Sequence, residues 1–174
     1  DYYASRGLGD VYKRQAYEYV GPVYLRFGRL AVPVLNDEST YKFEIGKGVK
    51  LKDGKDISIV ATGLCVSEAV KAVDMLADDG IDAELINIHT IKPIDEDIIV
   101  ETAQKTGKVF TVEEHSIIGG LGSAVAEVLS EKCPTKLTRI GVRDRFGESG
   151  PAKELLHKYE LDAEGIYKQI KAAL

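Results

Sequence analysis

The sequence predicts an α/β fold in which helices flank a mostly parallel sheet. After Asp56, short runs rich in β-branched residues alternate with longer segments whose apolar residues recur every three or four positions. Glycine, proline or a capping residue stands at most of the changes between the two patterns. Strands separated by helices of this length are joined by right-handed crossovers, and such crossovers make the strands parallel.

Composition and charge limit the classes of function. The chain has 174 residues, of which 44% are apolar and 29% are charged, as in an ordinary soluble domain. Its net charge of −5 argues against nucleic acid or an anionic membrane as a partner. No apolar run approaches the ~20 residues that span a bilayer. Cys65 and Cys133 are not spaced as a metal or redox motif, and two isolated thiols fit the reducing cytoplasm.

The first 40 residues differ from the rest of the chain. Residues 1–15 show no clear periodicity, and we interpret them as a segment that is foreign to the fold or disordered. A Gly-Pro turn then precedes a predicted strand, Val23–Phe27, and Arg29 comes just past its end. Residues 36–40 are polar and predict a linker, so the main domain is expected to cover residues 41–174.

The main domain is expected to begin with a short β-ribbon, Phe43–Lys52, which alternates and contains two glycines. A buried strand, a helix and a second strand follow, and these are Ile57–Ala61, Val66–Asp79 and Asp82–Ile88. Asp95 then predicts the cap of a helix that ends at Gly107, with Ile94 and Ile99 as a hydrophobic staple.

The second half of the domain continues the same alternation. A strand, Lys108–Val112, leads through a polar turn and a glycine-rich bend into a helix. A further strand, Lys136–Val142, precedes a short helix with Pro151 at its first position. Asp162 is expected to cap the last helix, whose inward residues are Ile166, Ile170, Ala173 and Leu174.

Three adjacent polar residues follow the predicted strand 108–112, at the end of an α/β strand where ligands and partners usually bind. Glu113 and Glu114 are neighbours, and neighbours on a strand point to opposite faces, so an acid–base pair is not expected. We interpret one as an interface or helix-start residue and the other as solvated. His115 has no matching nucleophile in the sequence, so we interpret it as an interface or structural residue. No catalytic residue and no metal ligand is predicted.

Other candidates are weaker. The glycines of residues 119–122 lack the full pattern of a dinucleotide site or P-loop, which favours close packing of helix on sheet. His89 also lies at a strand end and is interpreted as a surface or interface residue. The arginines at 139, 143 and 145 have acidic neighbours, which favours a salt-bridge network over an oxyanion site. For Arg29, a bidentate phosphate contact and an ordinary ion pair are equally favoured by the residues alone.

Five motifs in a fixed order carry a family resemblance: GPVYLRFGR, ISIVATG, INIHTIKPID, VEEHSIIGGLGSAVAEVL and ELLHKYELDAEGIYKQI. They resemble the C-terminal part of transketolase, in particular the separate C-terminal subunit of split bacterial transketolases. The resemblance runs from about Ala16 to Leu174. The ordered set is specific, whereas no single motif is.

The resemblance implies a thiamine-diphosphate enzyme that moves a two-carbon ketol unit between sugar phosphates. It implies that residues 16–40 are the remnant of a pyrimidine-binding domain with its linker, and that residues 41–174 are the C-terminal domain. In this family the diphosphate is held through a divalent metal, Mg²⁺, by another domain. The glutamate that activates the cofactor belongs to the missing part of the pyrimidine-binding domain. No thiamine diphosphate or Mg²⁺ ligand is therefore expected on this chain, which is expected to be inactive alone.

The resemblance also implies partners and one substrate contact. Arg29 matches the position of the family's arginine that contacts the substrate phosphate. An N-terminal transketolase subunit or domain and a homodimer partner are implied. Because the C-terminal domain mainly packs the dimer in this family, the strand-end polar residues are expected at a subunit seam; these are Glu113, Glu114, His115 and His89.

Three alternatives stay open. The same domain occurs in deoxyxylulose-phosphate synthase and in the beta subunit of 2-oxoacid dehydrogenases, although the spellings VEEHSIIGGLGSA and SGPAKELLHKY suit transketolase best. From a different class, the chain could be a non-catalytic α/β module that binds a small anion or a protein.

Overall fold

The computed structural model describes residues 16–24, 30–36 and 41–174. The chain divides into two compact units, residues 1–41 and residues 42–174. The predicted foreign segment 1–15, most of the predicted strand Val23–Phe27 and the candidate Arg29 lie outside the described residues. Val23 and Tyr24 are described and belong to no strand. The division after Tyr41 falls beside the boundary expected from the polar linker.

The second unit is built on a five-stranded sheet, as the α/β prediction requires. Its strands are β1 Val49–Lys52, β2 Ile57–Ala61, β3 Ala83–Asn87, β4 Lys108–Ser116 and β5 Lys136–Val142. They lie side by side in the order β1-β3-β2-β4-β5. Strands β3, β2, β4 and β5 are parallel, and β1 pairs with β3 in the antiparallel sense. A mostly parallel sheet is confirmed.

Five helices connect or follow the strands: α1 Cys65–Asp78, α2 Glu96–Thr106, α3 Leu121–Lys132, α4 Ala152–Lys158 and α5 Ala163–Ala173. Both faces of the sheet are covered. Ile59 belongs to an apolar cluster with residues of α1 and α5, whereas its neighbour Val60 belongs to a second cluster with residues of α2 and α3. Because successive strand residues face opposite sides, such a doubly covered sheet buries both sides of its central strands, and all five residues of β2 are buried.

The predicted helix ends are confirmed where they depend on local residues. The carboxylate of Asp95 accepts a hydrogen bond from Gly48 N at 2.9 Å and faces Ile98 N at 3.5 Å. Gly107 ends α2 in the left-handed conformation, with φ of 68°. Asp162 accepts a bond from Gly165 N at 2.9 Å at the start of α5. Among the helices of the described ranges, none is both long and apolar enough to cross a membrane.

Four predictions of detail are wrong. The β-ribbon Phe43–Lys52 is reduced to the single strand β1, because the backbone before it turns at residues 45–46 and uses Gly48 N to bind Asp95. Strand β4 continues beyond Val112 through Ser116, so the residues that were expected to form a polar turn belong to the strand. Pro151 is the N-cap of α4 rather than its first residue. Leu174 is 44% exposed instead of inward, because α5 ends at Ala173.

A buried carboxylate on β3 connects the sheet to α2. Glu84 has 0% exposure, and its Oε1 lies 2.8 Å from Lys50 Nζ and 3.1 Å from Lys105 Nζ. The Thr102 hydroxyl donates to its other oxygen. Burial alone would raise the pKa of Glu84, but the hydrogen bonds from Lys50, Thr102 and Lys105 outweigh it and hold the pKa below the usual 4.5. The carboxylate is therefore charged and fully partnered at neutral pH.

This arrangement predicts an acid-dependent loss of stability. Because the pKa of Glu84 is lower in the folded state, its contribution is present above pH 4.5 and is lost as the pH falls through the folded-state pKa. We expect Glu84→Gln to lower the free energy of unfolding by about 1–2 kcal/mol at pH 7. The difference from the unsubstituted chain should shrink below pH 4.5, as measured by urea unfolding across a pH series.

Glu101→Gln is the matched control for that series. Glu101 lies 3.5 Å from the same Lys50 Nζ but is 68% exposed, so the change should alter the free energy of unfolding by less than about 0.5 kcal/mol. Equal effects of the two substitutions, or a Glu84→Gln effect that does not depend on pH, would contradict the assignment.

Candidate functional site

Those candidate residues that the structure describes lie at the carboxyl edge of the parallel strands, where Glu113 is the best-defined group. Its side chain is 1% exposed. Glu113 Oε2 accepts a hydrogen bond from Leu121 N at 2.7 Å, and Oε1 accepts one from Gly122 N at 2.8 Å. These two N–H groups belong to the first two residues of α3 and have no partner within the helix. The carboxylate of Glu113 therefore accepts their hydrogen bonds and lies at the positive end of the helix dipole. Of the two interpretations offered for Glu113, the geometry favours the helix start.

The glycines beside Glu113 are required by close packing. A Cβ atom added at Gly120 would lie 2.0 Å from Glu113 Oε2. At Gly122 it would lie 2.8 Å from Arg139 Cδ and 2.9 Å from Thr111 Oγ1. The carboxylate of Glu113 therefore occupies the N-terminus of α3. This favours the interpretation that the glycines allow close packing over the interpretation that they bind an anion.

Glu114 faces the other way from Glu113, whereas His115 lies on the side of Glu113. Glu114 and His115 are both exposed, so the two glutamates do point to opposite sides. His115 Nδ1 lies 2.9 Å from the Ser116 carbonyl oxygen, and since a carbonyl only accepts, Nδ1 must donate. The same nitrogen is 4.0 Å from Glu113 Oε2. The ring is held by its Nδ1 side, and its place at a subunit interface stays a prediction.

His89 is not brought together with this group, because β2 lies between β3 and β4 in the sheet. Its ring centroid is 4.6 Å from that of Phe43, and Nδ1 is 2.9 Å from the Thr90 hydroxyl. Nε2 is buried and has no hydrogen-bond partner. Burial lowers the pKa of His89, so the ring is neutral at neutral pH. Its interface role also stays a prediction.

Sequence reasoning missed the position of Arg139. It was assigned to a salt-bridge network, but its Nη1 donates to the Ile117 carbonyl oxygen at 2.8 Å. Ser123 supports the same turn, since its hydroxyl donates to Ile117 O at 3.2 Å and accepts from Gly119 N at 2.9 Å. In the sequence, only the position of Ser123 within the glycine-rich motif indicated a side chain that supports this turn. The contact of Arg139 could not be predicted, because it spans 22 residues of sequence.

An open cleft of about 450 Å³ lies beside the glycine turn. Its walls come from the loop after β3, with Ile91, Lys92 and Ile94, and from the outer face of α3. Lys132 and Glu96, which are both part of the lining, form an ion pair. Within the described ranges, no group of three or more His, Cys, Asp or Glu residues could hold a metal ion. Cys65 is no nucleophile, because burial raises the pKa of its thiol to about 12.

Known proteins resemble the chain along nearly its whole length. Residues 46–166 match the family described as transketolase, C-terminal domain. The chain is 49% identical over 172 residues to a protein of Methanocaldococcus jannaschii named for a transketolase C-terminal section, and the match covers 98% of the chain and 52% of that protein. It is 47% identical over 148 residues to the 6-deoxy-6-sulfo-D-fructose transketolase subunit of a Clostridium species, covering 85% of the chain and 46% of the subunit.

Two further similarities bear on fold and alternatives. A solved structure described as a split-gene transketolase in an inactive β4 tetramer has a TM-score of 0.84 and 48% identity, covering 92% of the chain and 52% of that protein. A 1-deoxy-D-xylulose-5-phosphate synthase of Heliobacterium modesticaldum is 39% identical over 155 residues, covering 88% of the chain and 24% of the synthase. The chain thus spans about half the length of its transketolase relatives. The fold and the predicted resemblance are confirmed, and the chain belongs to the transketolase C-terminal domain family.

Proposed function

We propose that the chain is the C-terminal part of a thiamine-diphosphate-dependent transketolase that moves a two-carbon ketol unit between sugar phosphates in the cytoplasm. The observation that carries the proposal is the match of 98% of the chain to about half of a protein named for a transketolase C-terminal section. Two free cysteines, one buried and one half-buried, are compatible with a reducing compartment.

In this proposal the described domain supports the enzyme and does not bind its cofactor. A diphosphate held through Mg²⁺ needs carboxylate or other oxygen ligands and free N–H donors. The described residues do not fit this group, because they contain no metal-ligand cluster and Glu113 already fills the start of α3. In this proposal, thiamine diphosphate binds to an N-terminal subunit and to the pyrimidine-binding domain, of which residues 16–40 are the proposed remnant.

Self-association is part of the same proposal. The similar split-gene transketolase is described as an inactive β4 tetramer, and this supports both a homodimer partner and a lack of activity without an N-terminal subunit. The substrate of the complete enzyme is open to test, since one similar subunit is named for a sulfo-sugar.

Deoxyxylulose-phosphate synthase is the second candidate, favoured by the 39% identity to the synthase of Heliobacterium modesticaldum. The lower identity and the 24% coverage of that synthase favour transketolase. A 2-oxoacid dehydrogenase beta subunit and a non-catalytic anion- or protein-binding module have no comparable support among these relatives.

The complete reading frame that contains this chain, assembled with a candidate N-terminal subunit, should transfer ketol units from a ketose phosphate to an aldose phosphate. The transfer should depend on thiamine diphosphate and Mg²⁺, and the 174-residue chain alone should show none. A coupled assay of aldose consumption measures this. Turnover of pyruvate with an aldose phosphate would identify the synthase instead. Calorimetric binding of sugar phosphates to the chain alone would favour the binding module.

Arg29 provides a test of substrate recognition in the assembled enzyme. We propose that its guanidinium binds the substrate phosphate, and Arg29→Ala should then lower kcat/KM for phosphorylated ketoses by about 10- to 150-fold, which corresponds to a lost charge-assisted contact of about 1.5–3 kcal/mol. An unphosphorylated ketol donor such as hydroxypyruvate is the internal control and should be nearly unaffected. Arg29→Lys should keep the charge but lose the bidentate geometry, giving an intermediate loss. Equal losses for both donor types would remove the phosphate role.

A further inference from the structure

A short segment before β1, residues 42–48, lies against the loop that follows β3, and we call this segment the strap. Its half-buried Phe43 ring contacts the His89 ring, with 4.6 Å between the centroids and an angle of 39° between the planes. A Cβ atom added at Gly46 would lie 3.2 Å from Pro93 Cγ, so the backbone of the strap touches the same loop. Both contacts join the strap to side chains that follow β3.

The end of the strap is attached to the start of α2. Gly48 N donates to one carboxylate oxygen of Asp95 at 2.9 Å, and Lys47 Nζ lies 3.7 Å from the other. A Cβ atom added at Gly48 would lie 2.7 Å from Ile88 Cδ1, so the backbone is also closely packed at this point. The end of the strap is therefore held by a hydrogen bond from its backbone, whereas the first half contacts the His89 ring.

The surroundings of the His89 ring suit its neutral form. Nε2 is buried and has no hydrogen-bond partner, and Nδ1 is 2.9 Å from the Thr90 hydroxyl. Because an imidazolium carries a proton on both nitrogens, the charged ring would hold a buried N–H without an acceptor, whichever tautomer it forms from. Burial lowers the pKa of His89 below its usual 6.5, and no other group opposes this shift.

The charged groups around the ring do not offset this cost. Those of the strap, of the loop after β3 and of the start of α2 are Lys42, Glu44, Lys47, Lys92, Asp95, Glu96 and Asp97. The three carboxylates at the start of α2 have other partners, which are Gly48 N and Lys47 for Asp95, Lys132 for Glu96 and Lys47 for Asp97. Residues 62–64, which follow the neighbouring strand β2, carry no charge. Within the described ranges, the charged ring of His89 therefore gains no ion pair.

We propose that the strap is a pH-sensitive attachment, in which protonation of His89 drives its ring out of the buried position, breaks the contact with Phe43 and releases the first half of the strap. The inference does not depend on the proposed function, because it uses only contacts within residues 42–174.

The sign of the pH dependence follows from the burial of His89. Because the pKa of His89 is lower with the strap attached than with the ring in water, the attachment is complete above pH 6.5 and is lost as the pH falls through the lowered pKa. Residues 42–47, once released, can extend to about 20 Å. A fixed entry into the domain would then become a flexible connection.

Hydrogen exchange of the full chain tests the inference, measured by mass spectrometry from about pH 8 to pH 5 and corrected for the intrinsic exchange rate. Peptides from the strap should lose protection by about five-fold or more as the pH falls, whereas peptides from β2 should keep theirs. His89→Gln cannot take up the proton and should remove the pH dependence. His157→Gln is the matched control, because this histidine is 72% exposed on α4, and it should leave the pH dependence unchanged.

An NMR titration of the three histidine rings gives a readout that needs no substitution at His89. The His89 ring should titrate below pH 6.5, with the same midpoint as the exchange of the strap. Phe43→Leu weakens the contact with the ring, so it should move the His89 midpoint toward 6.5 and leave the midpoints of His115 and His157 unchanged.

Three results would overturn the inference. They are a strap whose protection does not change with pH, a pH dependence that persists in His89→Gln, and a His89 midpoint at or above 6.5. If His89→Gln leaves the strap open at every pH, the titration of the unsubstituted chain decides. Coinciding midpoints for the ring and the strap then support the inference, and separate midpoints refute it.

Discussion

The carboxylate of Glu113 is the constraint on which the carboxyl edge depends. A charge with 1% exposure must be fully partnered, and both of its oxygens bind the first N–H groups of α3. The carboxylate lies so close to the Gly120 backbone that no side chain fits at this position. The position of the carboxylate therefore requires glycine in the turn. Helix α3, the turn before it and the end of β4 are thereby fixed as one unit. The end of β4 that carries His115 and the loop that displays Ile118 are part of that unit.

The two faces of the sheet are stabilised differently. The face covered by α1 and α5 is almost wholly apolar, from Ile59 to Phe110. The face covered by α2 and α3 also carries two buried carboxylates, Glu84 toward α2 and Glu113 toward α3. Buried charges of this kind give directional contacts, whereas apolar packing tolerates small displacements. A domain that packs against other subunits benefits from helices whose positions are fixed, and this is consistent with the supporting role that we propose for it.

Local signals were sufficient for much of the fold. The alternation of strands and helices, the caps at Asp95 and Asp162 and the stop at Gly107 each depend on residues a few positions apart. The errors arose where distant residues decide. Strand β4 extends through Ser116 because it pairs with β5, and Arg139 binds a carbonyl 22 positions away. The separation of His89 from Glu113 follows from strand order, which the sequence does not state. For the site, the sequence singled out Glu113, and only coordinates could show that its partner is backbone.

A double-mutant cycle between Glu113 and Gly120 tests the central claim most directly. Glu113→Ala should lower the free energy of unfolding by about 1–3 kcal/mol, and Gly120→Ala should be costly because its Cβ would displace the same carboxylate. With the carboxylate already removed, Gly120→Ala should cost less, giving a coupling of about 1 kcal/mol or more from urea unfolding. Gly48→Ala, whose Cβ would instead meet Ile88 Cδ1, should add to Glu113→Ala without coupling. Additive effects of Glu113→Ala and Gly120→Ala, within about 0.5 kcal/mol, would contradict the account.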